Sequence, residues 1–177
     1  MDRDAKGHKL PMEDFCQLTE RQTEYKYRSS YEQVAKAIAR YSTVPQLDVV
    51  NYYEEVIFCW LTGNNDMHLK NFSLLSLGEG RYELSSAYDL LNVAIVNPAD
   101  SEELALTLNG KKSRISRKDF IEAASKAGVS EKVIDGLVAH FKQCLPIWEK
   151  KIEESFLSRS MKEMYMELIY NRINKLL

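Results

Sequence analysis

The sequence is short of the features that mark a secreted, membrane-spanning or nucleic-acid-binding chain. Its three cysteines, Cys16, Cys59 and Cys144, lie far apart, leave an odd thiol and form no C-x-x-C pair. That speaks against a disulfide framework and a cysteine zinc site, and predicts free thiols in a reducing compartment. No run approaches the ~20 apolar residues that a membrane span needs. The opening residues, MDRDAKGHKLPMED, hold no apolar core and do not read as a signal peptide. The expectation is a cytoplasmic chain with no membrane partner, in which the formal sequon Asn71-Phe72-Ser73 goes unused. There is no surplus of positive charge: 24 Lys and Arg stand against 26 Asp and Glu, a formal net charge of -2. No direct nucleic-acid contact is therefore expected. Internal repeats, low-complexity tracts and Pro/Gly/Ser-rich linkers are also lacking.

What is present suits one core-bearing domain: 177 residues, 45% of them apolar. Residues 1 to 30 read as irregular, punctuated by Gly7 and Pro11. Ser30 with Gln33 resembles a capping box opening a helix over YEQVAKAIARYS, and Pro45 stops its continuation. Asp48 can cap a second helix running to about Thr62. In it Val49, Tyr53, Val56, Ile57 and Trp60 recur at helical spacing, and Gly63 stands where a C-terminal cap belongs. FSLLSL, then Gly78-Glu79-Gly80, then RYELSS read as a β-hairpin. A weaker second hairpin is expected where ELALTL meets Asn109-Gly110. Ser116 opens a helix that ends near Gly128, and Ser130 opens another that Pro146 should kink or end. Ser160 with Glu163 is a capping-box candidate for a last helix. The predicted fold class is mainly α with one or two small β-hairpins.

The segment GNNDMHLKNFSLL, Gly63 to Leu75, places an Asp, a His, a Lys and several amides between an apolar helix and a strand. Phosphoryl transfer needs a carboxylate to orient the incoming hydroxyl, oxygen ligands for Mg²⁺, and a cation against the developing charge. Kinase catalytic loops supply the first two through D-x-x-x-x-N and a later Asp. Asp66 and Asn71 stand at that spacing. An antiparallel return through the hairpin would bring Asp89, in AYDLL, back beside Asn71, since neighbouring strands lie ~5 Å apart. A hard cation prefers that amide and carboxylate oxygen pair.

Read whole, LTGNNDMHLKNFSLL followed by YELSSAYDLL resembles the HipA-type serine/threonine kinases, the toxins of bacterial toxin–antitoxin pairs. The family's G-x-x-D-x-H-x-K-N-F-S loop stands here as Gly63, Asp66, His68, Lys70, Asn71, Phe72 and Ser73, and its Y-D motif as Tyr88-Asp89. LPMEDFCQL upstream and LTLNGKKSRIS downstream extend the likeness from about Asp2 past Ser116. The resemblance implies a kinase-like C-terminal lobe over residues 1–177. Asp66 would be the catalytic base and Asn71 and Asp89 the Mg²⁺ and nucleotide ligands. His68 would support the loop and Lys70 approach the phosphates. It implies ATP as phosphoryl donor, a protein substrate such as an aminoacyl-tRNA synthetase, and a small DNA-binding antitoxin as partner. The family's N-terminal lobe, with its Gly-rich loop over ATP, has no counterpart among the seven glycines, which form neither G-x-G-x-x-G nor G-x-x-x-x-G-K. A separate polypeptide could supply it.

Plainer readings stand beside these. Asp66 can cap a turn, His68 can be a satisfied structural histidine and Lys70 a solvated charge. Lys111, Lys112 and Arg114 suit an exposed hairpin end, and the charges from Glu149 to Glu154 an exposed helix face. At the level of the whole chain, the rival to a kinase lobe is a non-catalytic module that binds an antitoxin or regulator.

Overall fold

The computed structural model describes residues 2–177. Its centre is helix α3, Pro45–Thr62, whose Tyr52, Tyr53, Ile57, Trp60 and Leu61 are fully buried. A helix buried on nearly all sides must be surrounded by other elements. Helix α2, Tyr31–Tyr41, packs along it, capped by Ser30, whose Oγ accepts the Gln33 N–H at 3.2 Å as expected. The buried hydroxyls between the two are satisfied: Tyr52 donates to the Tyr31 carbonyl at 3.1 Å, and Tyr31 to that of Met67 at 3.1 Å.

The start of α3 departs from expectation. Helix α2 ends at Tyr41, ahead of Pro45 as expected, but α3 begins at Pro45 itself and not at Asp48. A first-turn position suits proline, because the N–H it lacks would have no helical partner there. Asp48 is not the cap but lies in the first turn, buried. It accepts the Ser42 hydroxyl at 2.6 Å and the Leu84 N–H at 2.8 Å, and so ties the start of the helix to the sheet.

That sheet has three antiparallel strands in the order β1 (Met12–Asp14), β2 (Ser73–Gly78), β3 (Arg81–Leu84). The β2–β3 hairpin is the one expected, with Leu74 opposite Leu84 and Ser76 opposite Tyr82, and its turn holds Gly78, Glu79 and Gly80 at positive φ. Strand β1 is an addition; three residues are too few to show an alternation. It leads directly into the single turn α1, Phe15–Leu18, whose Asp14 and Gln17 form a reciprocal cap.

The second hairpin does not form. Leu108 and Lys111 make one isolated bridge around Asn109-Gly110. Leu104, Leu106 and Leu108 are buried as the pattern suggested, and Leu108 exchanges two backbone bonds with Lys111 while the N–H groups of Glu103 and Leu104 reach the Lys112 carbonyl, but no continuous ladder follows. Thr107 bridges Ser30, and the Asn109 N–H bonds Glu32 Oε1 at 3.0 Å. The run is consumed in covering the start of α2.

Helix α4, Arg117–Ser125, carries a Ser116/Asp119 capping box, and Gly128 follows it at φ 81. Helix α5, Glu131–Glu153, begins after Ser130 and runs through Pro146 without ending. The proline leaves the Lys142 carbonyl without a helical donor, but Lys142 is exposed and water can serve it. Helix α6, Arg159–Leu176, is capped by Ser158, two residues before the expected Ser160. Glu163 pairs with Arg159 at 3.1 Å instead of reaching back to a cap. Both α5 and α6 close over α3: Phe58 stacks edge-on to Trp148, and Arg172 donates to the Trp60 carbonyl. All three cysteines are free, and Cys16 and Cys59 are buried.

Glu55 on α3 is buried without a partner for Oε1, and burial pushes its carboxyl from the ordinary 4.5 up to about 8. The folded chain thus holds a proton that the unfolded chain releases above ~4.5. Stability should fall as pH rises from about 5 to about 8. Glu55→Gln should flatten that decline, losing on the order of 2–4 kcal/mol less than the parent between pH 5 and pH 9. Urea unfolding at both pH values checks this.

Candidate active site

The site begins where α3 ends. Gly63 adopts φ 81, and the Asn64 N–H reaches back to the Cys59 carbonyl at 2.8 Å while that of Gly63 reaches Trp60 at 3.3 Å. This satisfies the last carbonyls of a helix whose end is buried. A Cβ on Gly63 would lie 3.0 Å from Asn92 Oδ1 and 3.0 Å from Leu168 Cδ2, so glycine is required on two grounds. The Gly63 carbonyl then accepts the N–H groups of both Val93 and Ala94 at 3.0 Å, docking the segment after Asp89 onto the helix end.

The loop that follows is pinned from both sides. Met67 and Leu69 are fully buried anchors, and Leu69–Asn71 form one 3-10 turn. Asn64 is used twice: its Oδ1 accepts the Asp66 N–H at 3.2 Å and its Nδ2 donates to the Asp89 carbonyl at 3.1 Å. Asn65 Nδ2 donates to Asp100 Oδ2 at 3.1 Å and to the Glu102 carbonyl at 3.0 Å. Asp66 is half-buried, and its Oδ1 accepts the Tyr27 hydroxyl at 2.6 Å. Burial, and then the bond to Asp66, push the Tyr27 phenol up to about 12, so the proton stays on the tyrosine and Asp66 is the acceptor.

Asn71 is buried, and its Nδ2 donates to Asp89 Oδ2 at 2.9 Å and to the Asp66 carbonyl at 3.3 Å. The hairpin therefore brings Asn71 and Asp89 into contact, as the chain-reversal argument required. Asp89 sits at φ 57, a conformation an aspartate tolerates better than most residues, and is exposed. Tyr88 holds it there. The Tyr88 phenol donates to the Lys70 carbonyl at 2.7 Å, so the Ser73 hydroxyl, 2.6 Å away, is the donor to the phenol oxygen.

His68 is buried beneath the loop, edge-on to Tyr27 at 4.9 Å. Its Nδ1 has no partner, and burial, followed by the charge of Lys26, pulls its pKa below the ordinary 6.5. It is a neutral ring packed under Asp66, not a group directed at solvent. Lys70 is half-buried, and its Nζ contacts no carboxylate among the described residues. Lys111 and Lys112, by contrast, are spent on Asp119 at 2.7 Å and Glu102 at 3.0 Å.

Among the described residues no group of three or more His, Cys, Asp or Glu side chains could enclose a metal. The hydrogen bond between Asn71 and Asp89 leaves Oδ1 of each without a donor among the described residues, so one carboxylate and one amide oxygen are available. That pair fits a hard divalent cation which completes its shell with water and phosphate oxygens. Tyr27 and Asn64 are members of the site that the sequence did not reveal. Tyr27 is 39 positions from Asp66, and nothing in a lone tyrosine signals such a contact.

The architecture, a helical lobe with a small antiparallel sheet, is that of kinase C-terminal lobes. The chain matches HipA from Shewanella oneidensis, solved with HipB and operator DNA, at a TM-score of 0.78 and 18% identity, over 97% of this chain and 46% of that one. It matches the Helicobacter pylori proinflammatory kinase CtkA at 0.61 and 17%, over 97% of this chain and 70% of that one. Residues 1–148 match the HipA-like C-terminal domain, and the chain belongs to that family. Two relatives from Sinorhizobium fredii bear the names "Putative kinase Y4dM" and "Putative kinase Y4mE". The first is 30% identical over 84% of this chain and 36% of its own length; the second is 33% identical over 72% and 32%. The chain thus spans about a third of these relatives.

Gly63→Ala should destabilise the fold by about 2–3 kcal/mol, from the positive φ and from crowding by Asn92 and Leu168. Gly128→Ala, at φ 81 with open space around it, isolates the conformational part and should cost about 1 kcal/mol. Denaturant midpoints of the two variants separate the contributions; equal losses would remove the packing role of Gly63.

Proposed function

We propose that the chain is the substrate- and metal-holding lobe of a HipA-type protein kinase, transferring the γ-phosphate of ATP to a Ser or Thr hydroxyl. The observation that carries this is the meeting of Asn71 with Asp89, 18 positions apart, on the same short loop as Asp66 and at an exposed edge. With Oδ1 engaged by Tyr27, Asp66 keeps Oδ2 for the incoming hydroxyl. The hydroxyl oxygen bonds to the γ-phosphorus, the bond to the bridging oxygen breaks, ADP leaves, and the hydroxyl proton passes to Asp66. No covalent enzyme intermediate is formed. Asn71 and Asp89 would hold Mg²⁺ through their Oδ1 atoms, and the cation supplies charge neutralisation at the phosphates. Lys70, free of ion pairs, is the cation available to a phosphate oxygen. Neutral His68 keeps the loop seated without adding charge beside the base.

The relatives' greater length supports a second, nucleotide-covering lobe as part of the working enzyme, whether on the same chain or a separate one. The isolated chain is therefore expected to turn over ATP weakly or not at all. By the family likeness, the substrate class is a protein such as an aminoacyl-tRNA synthetase, and the partner a small DNA-binding antitoxin. The Shewanella neighbour was solved with HipB.

In enzyme completed with an N-terminal lobe, Asp66→Ala should lower phosphate transfer at least about a hundredfold with an unchanged melting temperature. Asp89→Ala should remove Mg²⁺-dependent ATP binding in calorimetry. Full Mg-ATP affinity in the Asp89 variant would overturn the metal assignment. An Asp66 variant as active as the parent would overturn the base assignment, and a completed parent enzyme that transfers no phosphate would leave the non-catalytic binding module as the better reading.

A further inference from the structure

Away from the loop, a cavity of about 400 Å³ opens between α3, α5 and the end of β3. Its walls divide by chemistry. Phe58, Leu84 and Phe141 form the apolar side, and Asn51, Glu54, Glu55, Ser85 and Ser86 the polar side. No lysine, arginine or histidine lines it. Glu55 is buried to 9% exposure, and neither of its oxygens accepts a hydrogen bond from any described residue. Glu54, beside it, forms no ion pair among the described residues either.

Oε1 is sealed from solvent without a donor, which is costly, and Oε2 is the oxygen left open to the cavity. The cost is relieved if an occupant brings donors and positive charge. Two carboxyls, an amide and two hydroxyls supply acceptors for a multidentate donor, and two aromatic rings supply flat faces. A planar guanidinium uses both, and an ammonium uses them less well.

We propose that this cavity is a docking site for an arginine side chain presented by a protein partner, with Glu55 as its anion and Phe58 and Phe141 as its walls. The raised pKa of Glu55 in the empty cavity agrees, since a bound cation would return the carboxyl to its ionised form. The argument is one of charge and shape and is independent of the phosphoryl-transfer reading. The site does touch that chemistry, because Ser85, Ser86 and Ala87 run straight into Tyr88 and Asp89. A side chain seated there would lie against the segment between β3 and the proposed metal ligand.

The test is an NMR titration of the full chain with N-acetyl-arginine amide, with the neutral isostere N-acetyl-citrulline amide in parallel. The expected result is saturable backbone shifts at Ser85, Ser86 and Phe141 with the arginine probe. Affinity should be at least tenfold lower for the citrulline probe, and at least tenfold lower for arginine in Glu55→Gln. That variant keeps shape and removes the anion, and a melt verifies its fold; should it not fold, discrimination between the two probes by the parent chain decides alone. Equal binding of the probes, or no saturable shift at those residues, overturns the proposal. Loss of kinase activity plays no part in this readout, so its failure and that of the functional reading remain distinguishable.

Discussion

A central helix whose end is buried has to find hydrogen-bond partners for its last carbonyls, and in this chain the partners are the site. At the start of α3, Asp48 takes up the backbone of β3. At its end, Gly63 and Asn64 close the last carbonyls and then reach outward, to Val93 and Ala94 and to Asp89. The rule that buried polar groups must be paired thus fixes the hairpin at one end and the loop at the other. The candidate base and the candidate metal ligands are attached to the same rigid rod, which is how side chains remote in sequence keep a constant separation.

The rest of the molecule keeps that rod in place. Glu103 accepts the indole N–H of Trp60 and the N–H of Ile115, both at 3.0 Å, and pairs with Lys175 at 3.4 Å. Arg172 lies over the same indole and donates to the Trp60 carbonyl. Helix α6 and the segment before α4 are therefore locked to the last turn of α3 through one tryptophan. On the opposite side, the residues before α2 contribute Tyr27. Its hydroxyl engages one oxygen of Asp66, and the second has no donor among the described residues. Charge is kept sparse here: the buried ring of His68 is neutral, and Lys70 is the one cation on the loop.

Much of this was legible in the sequence where a local rule acts alone. Ser30, Gly63, Ser116 and the Gly78–Gly80 turn did what their side chains or φ preferences dictate, and the spacing of Asp66, Asn71 and Asp89 with a hairpin between them was enough to foresee a contact. Reading failed where a residue answers to something distant. Asp48 did not cap α3, because its carboxylate serves Ser42 and the backbone of β3. The run from Leu104 to Leu108 forms only the turn of its expected hairpin because Thr107 spends its backbone on Ser29 and Tyr31, which burial and alternation do not show. Ser158 displaced Ser160 as a cap because serines two apart offer the same oxygen. Tyr27 and Asn64 were invisible for the same reason: a hydrogen bond across the fold leaves no periodic trace.

The twin amides of Val93 and Ala94 share a single carbonyl at the foot of the rod, and that arrangement exists only while the stretch beyond Asp89 is seated. Their exchange with deuterated solvent is therefore a native gauge of the seated fraction, read without a label, a nucleotide or any enzymatic assay. Slow exchange at both would mean that the second carboxylate is held in position before any nucleotide arrives; fast exchange against a protected α3 would mean that it swings into place afterwards.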